Sequence, residues 1–222
     1  MKINKRIFII LLAGFFLVLL TFAKLNFSFG ANHLTFSFSN MIYPVFGAFL
    51  GLIDLVVIKW FSLILLVLFT GKMPITLVMF GIPSFLAALT FRYSLSKNYK
   101  SKIFDFCLRV LIPIISISIF IYNYSAAYAY SFYWLIPMFL YFLTRKKVNI
   151  FYSALSSTFI AHAVGGVFWI FSVNMTTQQW IGLIPVVAIE RFSMAVGMSF
   201  VYILIKKSIC VIKRRKKLKT IS

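Results

Sequence analysis

IFYSALSSTFIAHAVGGVFWIFSVNMTTQQWIGLIPVVAIERFSMAVGMSFVYILIKK, residues 150–207, holds two apolar arms joined by the uncharged turn Ser172–Gln179. Each arm, Ile150–Phe171 and Trp180–Ile205, is long enough to cross a bilayer as a helix, which takes roughly 20 apolar residues. His162 lies ten residues before Ser172, and Glu190 lies eleven after Gln179. At about 1.5 Å of rise per residue both fall roughly 15–17 Å from the turn, near the middle of a ~30 Å hydrocarbon core. An antiparallel hairpin therefore brings the His162 imidazole, the Glu190 carboxylate and the Arg191 guanidinium to one level.

Composition sets the class around that hairpin. Hydrophobic residues make up 62%, charged residues 12%, and the mean hydropathy is +1.00. A soluble domain carries about 25% charged residues. A β-barrel shows short alternating segments instead of continuous apolar runs. The expectation is an all-α fold: a polytopic transmembrane helical bundle over residues 1–205, followed by a basic cytoplasmic tail, 206–222.

The net charge of +20 comes from Lys and Arg gathered at the ends of apolar segments. The positive-inside rule assigns such loops to the cytoplasm, and the inner leaflet attracts them, so the charge does not imply nucleic acid. Cys107 and Cys210 imply no disulfide framework. There is no metal-ligand cluster, phosphate-cradling glycine loop or protease motif, so no metal, cofactor or catalytic set is assigned.

The basic groups around Lys2–Arg6, Arg92–Lys102 and Arg145–Lys147, with the tail, place both termini inside and Ser172–Gln179 outside. Residues 7–20 read as a retained first helix, with a secretory signal cleaved at the small-residue site Thr21-Phe22-Ala23 as the alternative, and Lys24–Asn40 as an external connection. Residues 41–91 must then cross an odd number of times. The total is six to eight membrane segments, including broken or re-entrant ones in 41–91. Gly47, Gly51 and Asp54 fall on one helical face if the run 41–70 is continuous. Gly81 and Pro83 suggest a break in mid-membrane. Asp105 and Arg109, at i and i+4, suggest a surface pair.

Within the hairpin, Ser153, Ser157, Ala161 and Gly165 recur every four residues, beside Ala154, Thr158, His162 and Gly166. A small and polar helix face serves close packing or lines a ligand pocket. Trp169 shares the face of His162. Arg191 points about 100° away from Glu190, which suggests separate partners: His162 for Glu190, and Asp54 or a bound anion for Arg191. Ionisable groups inside a membrane are functional candidates. The expected substrate-binding residues are Asp54, Thr158, His162, Trp169, Glu190 and Arg191.

Residues 40–54, NMIYPVFGAFLGLID, follow a Ser/Phe-rich connection and carry spaced glycines closing on Asp54. This stretch resembles the second helix of substrate-binding S components of energy-coupling-factor vitamin transporters. The resemblance implies a vitamin-like small-molecule ligand, an ATP-driven membrane coupling module as partner, and a bacterial cytoplasmic (inner) membrane location. The expected function is substrate capture or permease action in small-molecule uptake. A scaffold protein of an envelope complex, and a membrane-embedded enzyme using His162 and Glu190 as acid and base, remain the alternatives.

Overall fold

The computed structural model describes residues 5–29, 32–71, 75–96 and 98–219. Helix α1 is Lys5–Phe22, and an antiparallel ribbon of β1 (Lys24–Phe29) and β2 (Asn32–Ser37) follows it. Next come α2 (Phe38–Phe46), α3 (Leu52–Thr70) and α4 (Ile75–Ser94). Helix α5 covers 99–123, with a π-helical turn at Cys107–Leu111, and α6 is Ser125–Thr144. The hairpin supplies α7 (Ile150–Ser172), the short α8 (Thr177–Gly182) and α9 (Ile184–Lys219). Apart from the ribbon, the described fold is a helical bundle. Five of its helices (α3, α5, α6, α7 and α9) are long and apolar enough to cross a membrane.

Contacts fix the direction of the helices in 41–91. Arg6 bonds Asp54, and Gly14 lies against Phe61, so α1 and α3 run parallel. The α2 segment starts where Phe38 N–H donates to Ala23 O, at the ribbon end of α1. With the turns after it, α2 returns the chain to the level of Arg6. Helix α4 then runs parallel to α2, with Ala88 against Gly47 and Arg92 Nη1 donating to Gly47 O at 3.3 Å and to Leu50 O. Among the described residues this region thus holds three helical segments, α2, α3 and α4.

Two expectations about breaks change. The run 41–70 is not one helix, because it ends after Phe46 and restarts at Leu52. Gly51 caps α3, and its N–H donates to Asp54 Oδ2 at 3.3 Å, so Asp54 serves a helix start and shares no face with the glycines. Conversely, α4 stays helical through Gly81 and Pro83. Proline removes one backbone bond, and the neighbouring Ser84 hydroxyl donates to Gly81 O at 3.0 Å. Gly71, at φ 63°, ends α3 in the left-handed conformation that glycine adopts without strain.

The bundle is built around α7, which packs against α4, α5, α6 and α9. Its small residues explain that position. Ser153, Ala154, Ser157, Ala163 and Gly166 are buried, and Ser157 Oγ donates to Ala87 O of α4 at 2.7 Å. A Cβ at Gly166 would stand 2.7 Å from the Trp134 ring of α6. The Asp105–Arg109 pair is also placed differently from the expectation. Arg109 is 1% exposed, bonds both oxygens of Asp105 and donates to Thr144 Oγ1 at 2.9 Å. It is a buried tie between α5 and α6, not a surface pair.

Candidate functional site

Sequence-local signals frame the hairpin. Asn149 caps α7 by accepting from Tyr152 N–H at 3.1 Å. Thr176 and Gln179 form a reciprocal capping box at the start of α8, with bonds of 3.3 and 2.8 Å. The second arm is not one helix as expected, since it breaks at Leu183 between α8 and α9. Pro185 follows as the second residue of α9, where its missing N–H costs no internal bond. This break turns Trp180 into the bundle, where it is 2% exposed.

A cavity of about 530 Å³ lies between α2, α4, α7 and α9. It reaches from Thr158, Glu190, Arg191 and Met194 up to Met175 and Trp180 near the turn of the hairpin. Pro44 and Asn40 of α2 and Pro83 of α4 complete its wall. Five of the residues expected from sequence, Thr158, His162, Trp169, Glu190 and Arg191, line this one cavity. Asp54 does not. It sits at the opposite end of the bundle from the ribbon, where Arg6 donates to its Oδ1 through Nε (3.1 Å) and Nη2 (2.8 Å).

The partners inside the cavity differ from the expected ones. Glu190 pairs with its neighbour Arg191 through Nη2, not with His162. Side chains on adjacent residues start about 100° apart, yet both are long enough to fold around the helix and meet. Pairing removes an unmatched charge from a low-dielectric site. Arg191 Nη1 lies 3.4 Å from Thr158 O, a long contact that ties α9 to α7. His162 Nε2 instead lies 2.9 Å from the Tyr130 hydroxyl of α6, and their rings meet edge to face.

Tyr130 and Trp180 are site residues that the sequence reading missed. Both belong to an aromatic cluster with Phe120 and Trp134 that backs the cavity. Their position near the ends of apolar segments reads equally well as an interfacial belt, so periodicity does not single them out. Two residues of this wall carry buried N–H groups without a hydrogen-bond partner, Trp180 Nε1 and Arg191 Nε; Trp134 Nε1, Ser153 Oγ and Ser156 Oγ, away from the cavity, are likewise unpartnered. Buried donors are normally satisfied, so the two on the wall call for an acceptor. Among the described residues, no group of three or more His, Cys, Asp or Glu side chains is placed to hold a metal ion.

Chemically, the cavity is an aromatic and thioether-lined chamber with a charge-neutral polar floor. It offers the Arg191 and Trp180 donors, the His162–Tyr130 pair and the Glu190 carboxylate. Comparison with family models, curated proteins and solved structures finds no match for this chain.

Proposed function

We propose that this protein is a substrate-capture or permease component of a small-molecule uptake system, with the ligand taken up in the α2–α4–α7–α9 cavity. The observation that carries this reading is a ligand-sized chamber with two unmet buried donors on its wall. Binding sites for organic ligands are about 300–1,000 Å³, mostly apolar, with a few convergent polar groups. The ligand presents oxygen acceptors to Arg191 and Trp180 and apolar surface to Trp169 and Met194.

In this reading the ribbon end faces outside and both termini lie in the cytoplasm of a bacterial cell, with the protein in the inner membrane. The basic residues flanking the helices support that orientation. Energy comes from a separate ATP-driven module, as the resemblance of residues 40–54 suggests. Orientation is tested with an impermeant thiol reagent on intact cells, using Thr176→Cys in a cysteine-free background and native Cys210 alone in a second strain. Labelling at 176 and protection at 210 is expected, and the opposite pattern reverses the orientation.

Capture is tested by native mass spectrometry of gently purified protein. The expected result is a retained small molecule that is lost in Trp180→Phe, a change that keeps an aromatic ring at this position but removes the indole N–H. A wild-type protein that carries no small molecule and is stabilised by no fraction of a small-molecule extract would overturn the reading.

A further inference from the structure

We propose that a second, smaller cavity between α1, α2 and α3 is a binding site for a small monovalent anion, held by Lys59. The starting point is the acid inventory. The whole sequence contains three acidic residues, and each is taken by an arginine: Asp54 by Arg6, Asp105 by Arg109 and Glu190 by Arg191. No side-chain carboxylate remains for Lys59. Yet Lys59 lies on α3, seven residues past its start, about 10 Å along a membrane-crossing helix. An uncompensated ammonium at that depth is costly, and lysines near helix ends usually escape by reaching out to the headgroups.

Lys59 turns inward instead. Its Nζ stands 5.1 Å from the centre of the Tyr43 ring of α2, an attractive contact that supplies no negative charge. The stem packs against α4 at Gly81, where a Cβ would make an ordinary 3.6 Å contact with Lys59 Cε. The ammonium faces a cavity of about 190 Å³ whose polar wall comprises Thr21, Ser37, Ser39, Asn40, Tyr43 and Ser62.

Most of those hydroxyls are already committed. Thr21 donates to Leu17 O at 2.9 Å, Ser62 to Lys59 O at 2.8 Å, and Tyr43 to Leu55 O at 3.0 Å. Ser37 and Ser39 share one bond of 2.7 Å, which leaves one hydroxyl hydrogen free. The donors facing the space are therefore the ammonium, that hydroxyl and the Asn40 amide. A single cation with a few neutral donors matches a single negative charge. The volume is below the range for organic ligands, so the occupant is halide-sized or a short monocarboxylate. Asn40 lines both cavities, so an occupant here lies next to the main chamber.

The test uses purified full-length protein at constant ionic strength, with chloride or bromide replacing gluconate, an anion too large for the cavity. Wild-type protein should show a saturable rise in unfolding temperature, about 3–6 °C at ten times the half-saturating concentration, and Lys59→Met should show none. Chloride NMR line broadening on the wild type, competed by bromide, supplies a readout that does not depend on the variant folding. Equal stability in chloride and gluconate, or no competable broadening, overturns the proposal. So does a Lys59→Met protein that responds like wild type. Stabilisation by phosphatidylglycerol nanodiscs but not by free chloride would make the occupant a lipid phosphate and refute the free-anion assignment.

Discussion

Replacing Glu190 by Gln leaves Arg191 as a lone cation two turns into a membrane helix. The guanidinium has few other partners, since Nη1 makes one contact at 3.4 Å and Nε makes none. Glu190 therefore supplies the only charge compensation. Removing one partner of a buried pair costs about 3–5 kcal/mol, and a charge at mid-bilayer costs about 2.5–3.5 kcal/mol on insertion scales. The cavity gives this pair some access to solvent, so about 3 kcal/mol is expected here. For a chain of this length, about 2–4 °C per kcal/mol translates that into a fall of about 6–12 °C in unfolding temperature. Arg191→Gln should lose a similar amount by stranding the carboxylate. The double variant Glu190→Gln/Arg191→Gln carries neither charge and should regain most of the loss, giving a coupling of about 2–3 kcal/mol. Tryptophan fluorescence on purified protein reads all four states. Losses that simply add in the double variant, with coupling below about 0.5 kcal/mol, would refute the claim that the two charges exist for each other.

Gly166→Leu should destabilise by about 1–3 kcal/mol, because even the first added carbon meets the Trp134 ring at 2.7 Å in a packed interior. Thermal unfolding reads the effect, and unchanged stability would show that α6 and α7 separate easily. Arg109→Met should cost about 3–5 kcal/mol by stranding Asp105, and Arg109→Met/Asp105→Leu should recover most of it. A neutral single variant would mean that the pair is hydrated.

The hairpin was legible because its signals are local and redundant. Two long apolar runs and the uncharged turn between them mark the hairpin, and counting from the turn placed His162 and Glu190 on one cavity. Asp54 was misread because a thirty-residue apolar run hides a reversal. Gly51 followed three residues later by Asp54 is a helix-start pattern that hydropathy does not register. The partners of His162 and Arg109 were not legible for a different reason. Tyr130 and Thr144 lie 32 and 35 residues from them, and no spacing rule reaches that far. The i, i+4 spacing of Asp105 and Arg109 is identical for a surface pair and a buried one, so only the packing of α6 decides between them.

The three arginine–carboxylate pairs allow structural and functional charges to be separated. Arg6–Asp54 closes the end of the bundle away from the ribbon, and Arg109–Asp105 is sealed between α5 and α6. Only Arg191–Glu190 lines the large cavity. If that pair merely balances charge, its order along the helix is irrelevant. If it presents donors to a ligand, the order matters, because exchanging the residues rotates the guanidinium by about 100° around α9. The swapped protein Glu190→Arg/Arg191→Glu keeps the composition, the neutrality and an adjacent pair. It should unfold within about 1–2 °C of wild type, since the coupling between the residues is retained. Retention of the small molecule should nonetheless fall at least tenfold, because the guanidinium no longer occupies its place beside Thr158. Full retention in a stable swapped protein would assign the pair to charge balance and leave ligand recognition to Trp180 and the His162–Tyr130 pair.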